Sequence, residues 1–145
     1  MEQTVVKTKQ PTGLWLLFMT ELWERFSYYA MRSILILYMV YLLGMDKGGA
    51  SNVYGTFTSL VYLSTLLGGF LADRYLGQKW ATIWGGLLIA AGMFVMSVPT
   101  VAFLYIAMGL IILGNGFFKP NVVAIVGQLY DKNDARRDGG FTIFF

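Results

Sequence analysis

Cysteine and histidine are both absent from the 145 residues. Without cysteine there is no disulfide, no thiolate nucleophile and no cysteine-based metal site. Without histidine the usual proton carrier near neutral pH and the commonest metal ligand are missing. Any proton chemistry falls to carboxylates, lysine or tyrosine. Charge is scarce as well: 13% of residues are charged and 57% hydrophobic, where an average soluble domain has about 25% charged and 45–50% apolar residues. That composition belongs to a membrane protein. The net charge of +3 comes from basic residues scattered singly and in pairs, which form no patch for nucleic acid.

What the chain does have is long apolar runs. Residues 1–13 are polar, read as a cytoplasmic N-terminus, and Pro11-Thr12-Gly13 breaks the chain ahead of the first run. Apolar helices are expected at about 14–43, 53–71, 80–98 and 101–130, with a fifth from 141 onward. The second and third are close to the ~20 residues needed to cross a bilayer core, and the longer first and fourth must tilt or protrude. The first is no signal peptide, because its run of about 30 residues exceeds a 7–15-residue signal core and carries charges in its middle. Phe141-Thr142-Ile143-Phe144-Phe145 reads as the opening of another apolar helix, so the chain is expected to be part of a longer protein. Small residues four apart, at Gly55/Ser59, Ser64/Gly68, Thr65/Gly69 and Gly86/Ala90, read as surfaces for close helix packing. With the N-terminus in the cytoplasm, Lys7, Lys9, Arg74, Lys79, Lys132, Arg136 and Arg137 fall on that side and only Lys47 on the other.

The most improbable stretch on physical grounds is Glu21 to Arg32, with four formal charges inside one apolar helix. Each mid-membrane charge costs about 2.5–3.5 kcal/mol on an insertion scale, so four amount to roughly 10–14 kcal/mol. Such a helix cannot face lipid on that side. At about 100° per residue, Glu21, Arg25, Tyr28 and Arg32 share a narrow sector, with Glu24 on one flank and Tyr29 on the other. Glu21 and Arg25 have the spacing of a helical ion pair. Lys119 adds a further cation on the fourth helix, where Pro120 is expected to bend or interrupt the turn. Arg25, Arg32 and Lys119 against Glu21 and Glu24 leave one positive charge over. If helices one to three and four to six are inverted repeats, the first and fourth face each other across a pathway.

Glu21-x-x-Glu24-Arg25-Phe26-Ser27-Tyr28-Tyr29-x-Met31-Arg32 resembles the first-helix signature of the proton-dependent oligopeptide transporters, within the major facilitator superfamily. Gly68-Gly69-Phe70-Leu71-Ala72-Asp73-Arg74-x-x-Gly77 is similar to that family's connection between helices two and three. Gly114-x-Gly116-x-x-Lys119-Pro120-Asn121 resembles its helix four, and Arg136-Arg137-Asp138-x-Gly140-Phe141-Thr142-Ile143-Phe144 its entry to helix five. The resemblance implies an all-α membrane protein with the major facilitator fold, this chain supplying four helices and the start of a fifth in its N-terminal bundle. It implies a proton-coupled symporter of di- and tripeptides in the inner (plasma) membrane, with no cofactor, no metal and protons as coupling ion, completed by a C-terminal half. Substrate binding is implied for Arg25, Tyr28, Tyr29, Arg32, Tyr62 and Lys119, proton coupling for Glu21, Glu24, Arg25 and Lys119. Asp73 and Arg74 read as a cytoplasmic latch or as ordinary helix-end solvation.

Other classes are distinguishable. A carrier of another small anion, such as nitrate, would share the cations but not yield to dipeptide competition. A membrane-embedded enzyme would need paired catalytic acids, yet both intramembrane acids sit on one helix beside arginine. A subunit of a proton-pumping complex would co-purify with partners and take up no solute.

Overall fold

Residues 10–131 and 133–145, described by a computed structural model, form α-helices joined by short connections, without a strand. Met1 to Lys9 and Lys132 lie outside the described residues, and with them Lys7, Lys9 and Lys132 of the charge count. Helix α1 runs Thr12–Leu37 and widens into a π-helical turn at Tyr38–Leu42. Gly44, at φ 70°, takes the left-handed conformation that ends it. Helix α2 spans Lys47–Leu71 and closes with a second π-helical turn at Ala72–Leu76. Gly77, at φ 77°, is the only residue between that turn and α3, Gln78–Met96. Helix α4 covers Val101–Gln128 and α5 covers Arg137–Phe144.

The bounds depart from expectation in three places. Helix α2 starts at Lys47 rather than near residue 53, because Asp46 caps it by accepting from Gly49 N–H at 2.9 Å. Helix α5 starts at Arg137 rather than 141. Helix α4 is continuous through Pro120, where an interruption was expected. Proline's ring ordinarily clashes with the preceding turn. Here the residue four positions back is Gly116, and one position on Asn121 Nδ2 donates to Phe117 O at 2.6 Å.

Among the described residues, three helices are long and apolar enough to cross a membrane: Lys47–Leu76, Gln78–Met96 and Val101–Gln128. Helix α1 has the length, 26 residues, and owes its lower apolarity to Glu21, Glu24, Arg25 and Arg32. Helix α4 is the centre of the packing. A Cβ on Gly85 would stand 2.7 Å from Gly114 O, and one on Gly92 3.0 Å from Ala107 O, so α3 meets α4 backbone to backbone. On its other side Gly68 abuts Gly116 O, and Ser64 Oγ donates to Ile112 O at 2.9 Å. Ser64/Gly68 and Gly69 therefore pack as the four-residue spacing predicts. Gly55/Ser59 does not within this chain: Gly55 faces open space, and Gly85, not Gly86, makes the close approach to α4.

Two apolar clusters bracket what lies between them. One gathers Met31 and Leu35 of α1 and Met39 of the π-helical turn after it with Phe57 and Val61 of α2 and Leu104, Ala107, Met108 and Ile111 of α4. The other gathers Leu14, Ile89, Phe118, Val122, Val126 and Phe144. On α1 the gap between Leu14 and Tyr28 contains Glu21, Glu24 and Arg25.

Candidate functional site

The buried face of α1 is Leu14, Glu21, Glu24, Tyr28, Met31 and Leu35. On a 3.6-residue helix that stripe is centred towards Glu24, so Glu24 belongs to it and Arg25 and Arg32 stand on its rim. Tyr29, on the far flank, is 54% exposed.

Arg25 Nε donates to Glu21 Oε1 at 2.8 Å, an i,i+4 pair within α1. The second acid pairs across helices, with Lys119 Nζ on α4 lying 3.3 Å from Glu24 Oε2. That approach lacks hydrogen-bond geometry, and among the described residues neither Glu24 oxygen has a hydrogen-bond partner. Charge holds this pair, in a setting where charge attraction is strong. Glu24 also borders a cleft of about 370 Å³ between α1 and α3, shared with Thr20, Ser27, Gly86 and Ala90. Helices one and four were expected to face each other across a pathway. In this structure they touch, through the ion pair.

Arg32 is the cation left over. Among the described residues no carboxylate approaches it. Its Nε donates to the Tyr54 hydroxyl at 2.8 Å, and its guanidinium stands 5.7 Å from the Tyr28 ring centre and 5.3 Å from that of Tyr54. Tyr28 is the aromatic hub: Lys119 Nζ lies 5.7 Å from its ring centre, Tyr29 5.6 Å and Phe57 6.5 Å. Among the described residues the buried Tyr28 hydroxyl has no well-formed hydrogen bond. Tyr62, on α2 near Tyr28 and Arg32, is 64% exposed.

Glu21, Glu24, Arg25, Tyr28, Arg32 and Lys119 are thus one connected layer, with Tyr29 and Tyr62 at its open edge. Asp73 and Arg74 do not join it. Asp73 Oδ1 accepts from Gln78 Nε2 at 3.3 Å, Gln78 in turn accepts from Gln128, and Arg74 lies 5.7 Å from the Tyr75 ring centre. That polar chain ties the ends of α2 and α4 to the start of α3. Among the described residues no cluster of carboxylates could hold a metal ion.

The residue that sequence reasoning missed is Tyr54. Starting α2 near residue 53 placed it at a frayed helix end. The capping pattern of Asp46 with Gly49 was the available signal, since a start at Lys47 puts Tyr54, Phe57 and Val61 on one helix face.

The POT family profile matches residues 79–145. An uncharacterized transporter of Bacillus subtilis strain 168 is 49% identical over 93% of this chain and 29% of its own length. A di-/tripeptide transporter of Lactococcus lactis subsp. lactis strain IL1403 is 48% identical with the same coverage. Among solved structures, a peptide transporter POT in complex with sulfate superposes with a TM-score of 0.91 at 50% identity, covering 93% of this chain and 29% of that one. A POT family transporter in complex with 5-aminolevulinic acid gives 0.90 at 44%, again over 93% and 29%. These likenesses bear out the all-α major facilitator fold class. The chain spans about 29% of the length of the relatives it matches.

Proposed function

We propose that the chain belongs to the POT family, whose profile matches residues 79–145, and that, in a protein of its relatives' length, it forms part of the N-terminal bundle of a proton-coupled symporter. The cargo is di- and tripeptides, carried by alternating access across the plasma membrane. The N-terminus lies in the cytoplasm, Asp73 and Arg74 contribute to a cytoplasmic gate, and a C-terminal bundle completes the cavity. The observation that carries the reading is Arg32, a cation without a carboxylate partner among the described residues, beside two pairs that are internally neutral. A mobile carboxylate is the missing anion. Arginine can grip it bidentately, and Lys119 and Arg25 stand within the same layer to share it.

Coupling follows from competition. A peptide carboxylate that draws Lys119 or Arg25 towards itself strips a glutamate of its counter-charge. An uncompensated buried carboxylate is costly, and binding a proton restores neutrality. Glu24 suits this exchange better than Glu21: its pair spans two helices and lacks hydrogen-bond geometry, whereas Glu21 is bonded within its own helix. Substrate and proton then load together and leave together.

The test is uptake of a labelled dipeptide by the whole transporter in proteoliposomes under an inwardly directed proton gradient. Accumulation is expected, and Glu24→Gln should abolish it while leaving peptide exchange intact. Retained proton-driven accumulation in that variant would overturn the coupling role. A second reading, transport of a carboxylate-bearing solute other than a peptide, draws on the relative crystallised with 5-aminolevulinic acid. Failure of excess dipeptide to compete with such a solute would favour it.

A further inference from the structure

Arg32 combines two properties that ordinarily conflict. It is ordered, yet its charge is unspent. A carboxylate partner would fix the side chain and cancel its field at the same time. Tyr54 fixes it without cancelling it: the hydroxyl is a neutral acceptor, 2.8 Å from Nε, and its ring stands 5.3 Å from the guanidinium carbon. The Tyr28 ring adds a second aromatic neighbour at 5.7 Å. Ring faces attract a cation through their quadrupole and remove none of its net charge. Arginine has five N–H donors in a planar fork. Tyr54 takes Nε, and among the described residues no carboxylate pairs with the two terminal nitrogens.

We propose that Tyr54 is a positioning residue for substrate recognition, orienting Arg32 so that its terminal nitrogens meet the carboxylate end of the cargo with their charge intact. The proposal rests on the peptide-transport reading. The bond also links α1 to α2 at this level, so a purely mechanical role is the competing account. The two differ in what they demand of position 54. A mechanical tie is satisfied by any strong acceptor, and most of all by an acid. Orientation without neutralisation demands an acceptor that is uncharged.

The experiment uses the whole transporter in proteoliposomes and measures KM and Vmax for a dipeptide, with inhibition constants for that dipeptide and its C-terminal amide. Tyr54→Phe keeps the ring and removes the acceptor. Its KM should rise about tenfold, the effect of losing one hydrogen bond to a charged group, with Vmax within about twofold and inhibition by the amide unchanged. Tyr54→Glu pairs with Arg32, and should lose saturable dipeptide uptake while keeping the size-exclusion profile and thermal transition of the unsubstituted protein. An unchanged KM in Tyr54→Phe overturns the proposal. So does equal weakening of peptide and amide, or wild-type KM in Tyr54→Glu, each of which marks a mechanical tie. Should Tyr54→Glu fail to fold, the peptide-against-amide comparison in Tyr54→Phe decides alone. If the unsubstituted protein takes up no dipeptide, the peptide reading falls and this proposal with it. If it does and Tyr54→Phe matches it, only the role of Tyr54 falls.

Discussion

Lys119 Nζ on α4 and Glu24 Oε2 on α1 lie 3.3 Å apart, joining two helices that α2 and α3 separate in sequence. The glutamate side chain is 6% exposed and the lysine 28%. That asymmetry sets what each substitution does. Lys119→Ala leaves a buried carboxylate whose oxygens have no hydrogen bond, a loss of about 3 kcal/mol. Glu24→Gln leaves a lysine that water can reach, and costs less. The thermal transition of the full-length protein in detergent should therefore fall further for Lys119→Ala than for Glu24→Gln. The double variant should lose less than the sum, as expected for residues in direct contact.

The close approach of α2 and α3 to α4 predicts a sharp contrast among glycines. A Cβ at Gly114 would meet Gly85 O and Ile89 Cγ1 at 2.7 Å, and one at Gly68 would overlap Gly116 O. Gly114→Ala and Gly68→Ala should each cost about 1–3 kcal/mol or more by forcing the backbones apart. Gly55, which faces open space, tolerates alanine within this chain and serves as the control. Thermal transitions of the three variants check the order.

Beyond the membrane-spanning helices, Tyr130 ties three segments together. Its hydroxyl lies 2.5 Å from Gln10 Oε1 and against Gly140, and Arg136 stands 5.9 Å from its ring centre. Burial pushes this phenol above its ordinary value of 10, the nearby Arg136 acting in the opposite direction. A raised value means that the contribution is fully present below about pH 10 and is lost as pH rises through the folded-state value. Tyr130→Phe should cost about 1 kcal/mol near neutral pH and flatten the alkaline fall in stability. Gly140→Ala, whose Cβ would overlap the hydroxyl, should cost more than Tyr130→Phe. Thermal melts at pH 7 and at rising alkaline pH measure both.

Much of this was legible in the sequence because the membrane narrows the choices. A charge in hydrocarbon is so costly that Glu21, Glu24, Arg25, Arg32 and Lys119 had to face one another or a cavity. Counting them showed one cation in excess, and the i,i+4 spacing gave the Glu21–Arg25 pair. Where α2 begins was harder to see, since Gly48-Gly49 looks like a loop and only the Asp46 cap turns it into a first helical turn. Pro120 misled for a similar reason: the cost of proline depends on its neighbours, and here they are Gly116 and Asn121.

The amino-acid sequence by itself determined that the chain is a set of apolar helices with a polar layer inside, because periodicity and transfer cost are local properties. It also determined how many charges that layer must reconcile. Which charge goes unpaired was decided only by the tertiary structure. Glu24 is neutralised because α4 packs against α1 at the height of Lys119, and Arg32 is left to Tyr54 because α2 comes in at the next level. Pairing across helices depends on the rotation and rise of one helix against another, which no spacing along a single helix encodes.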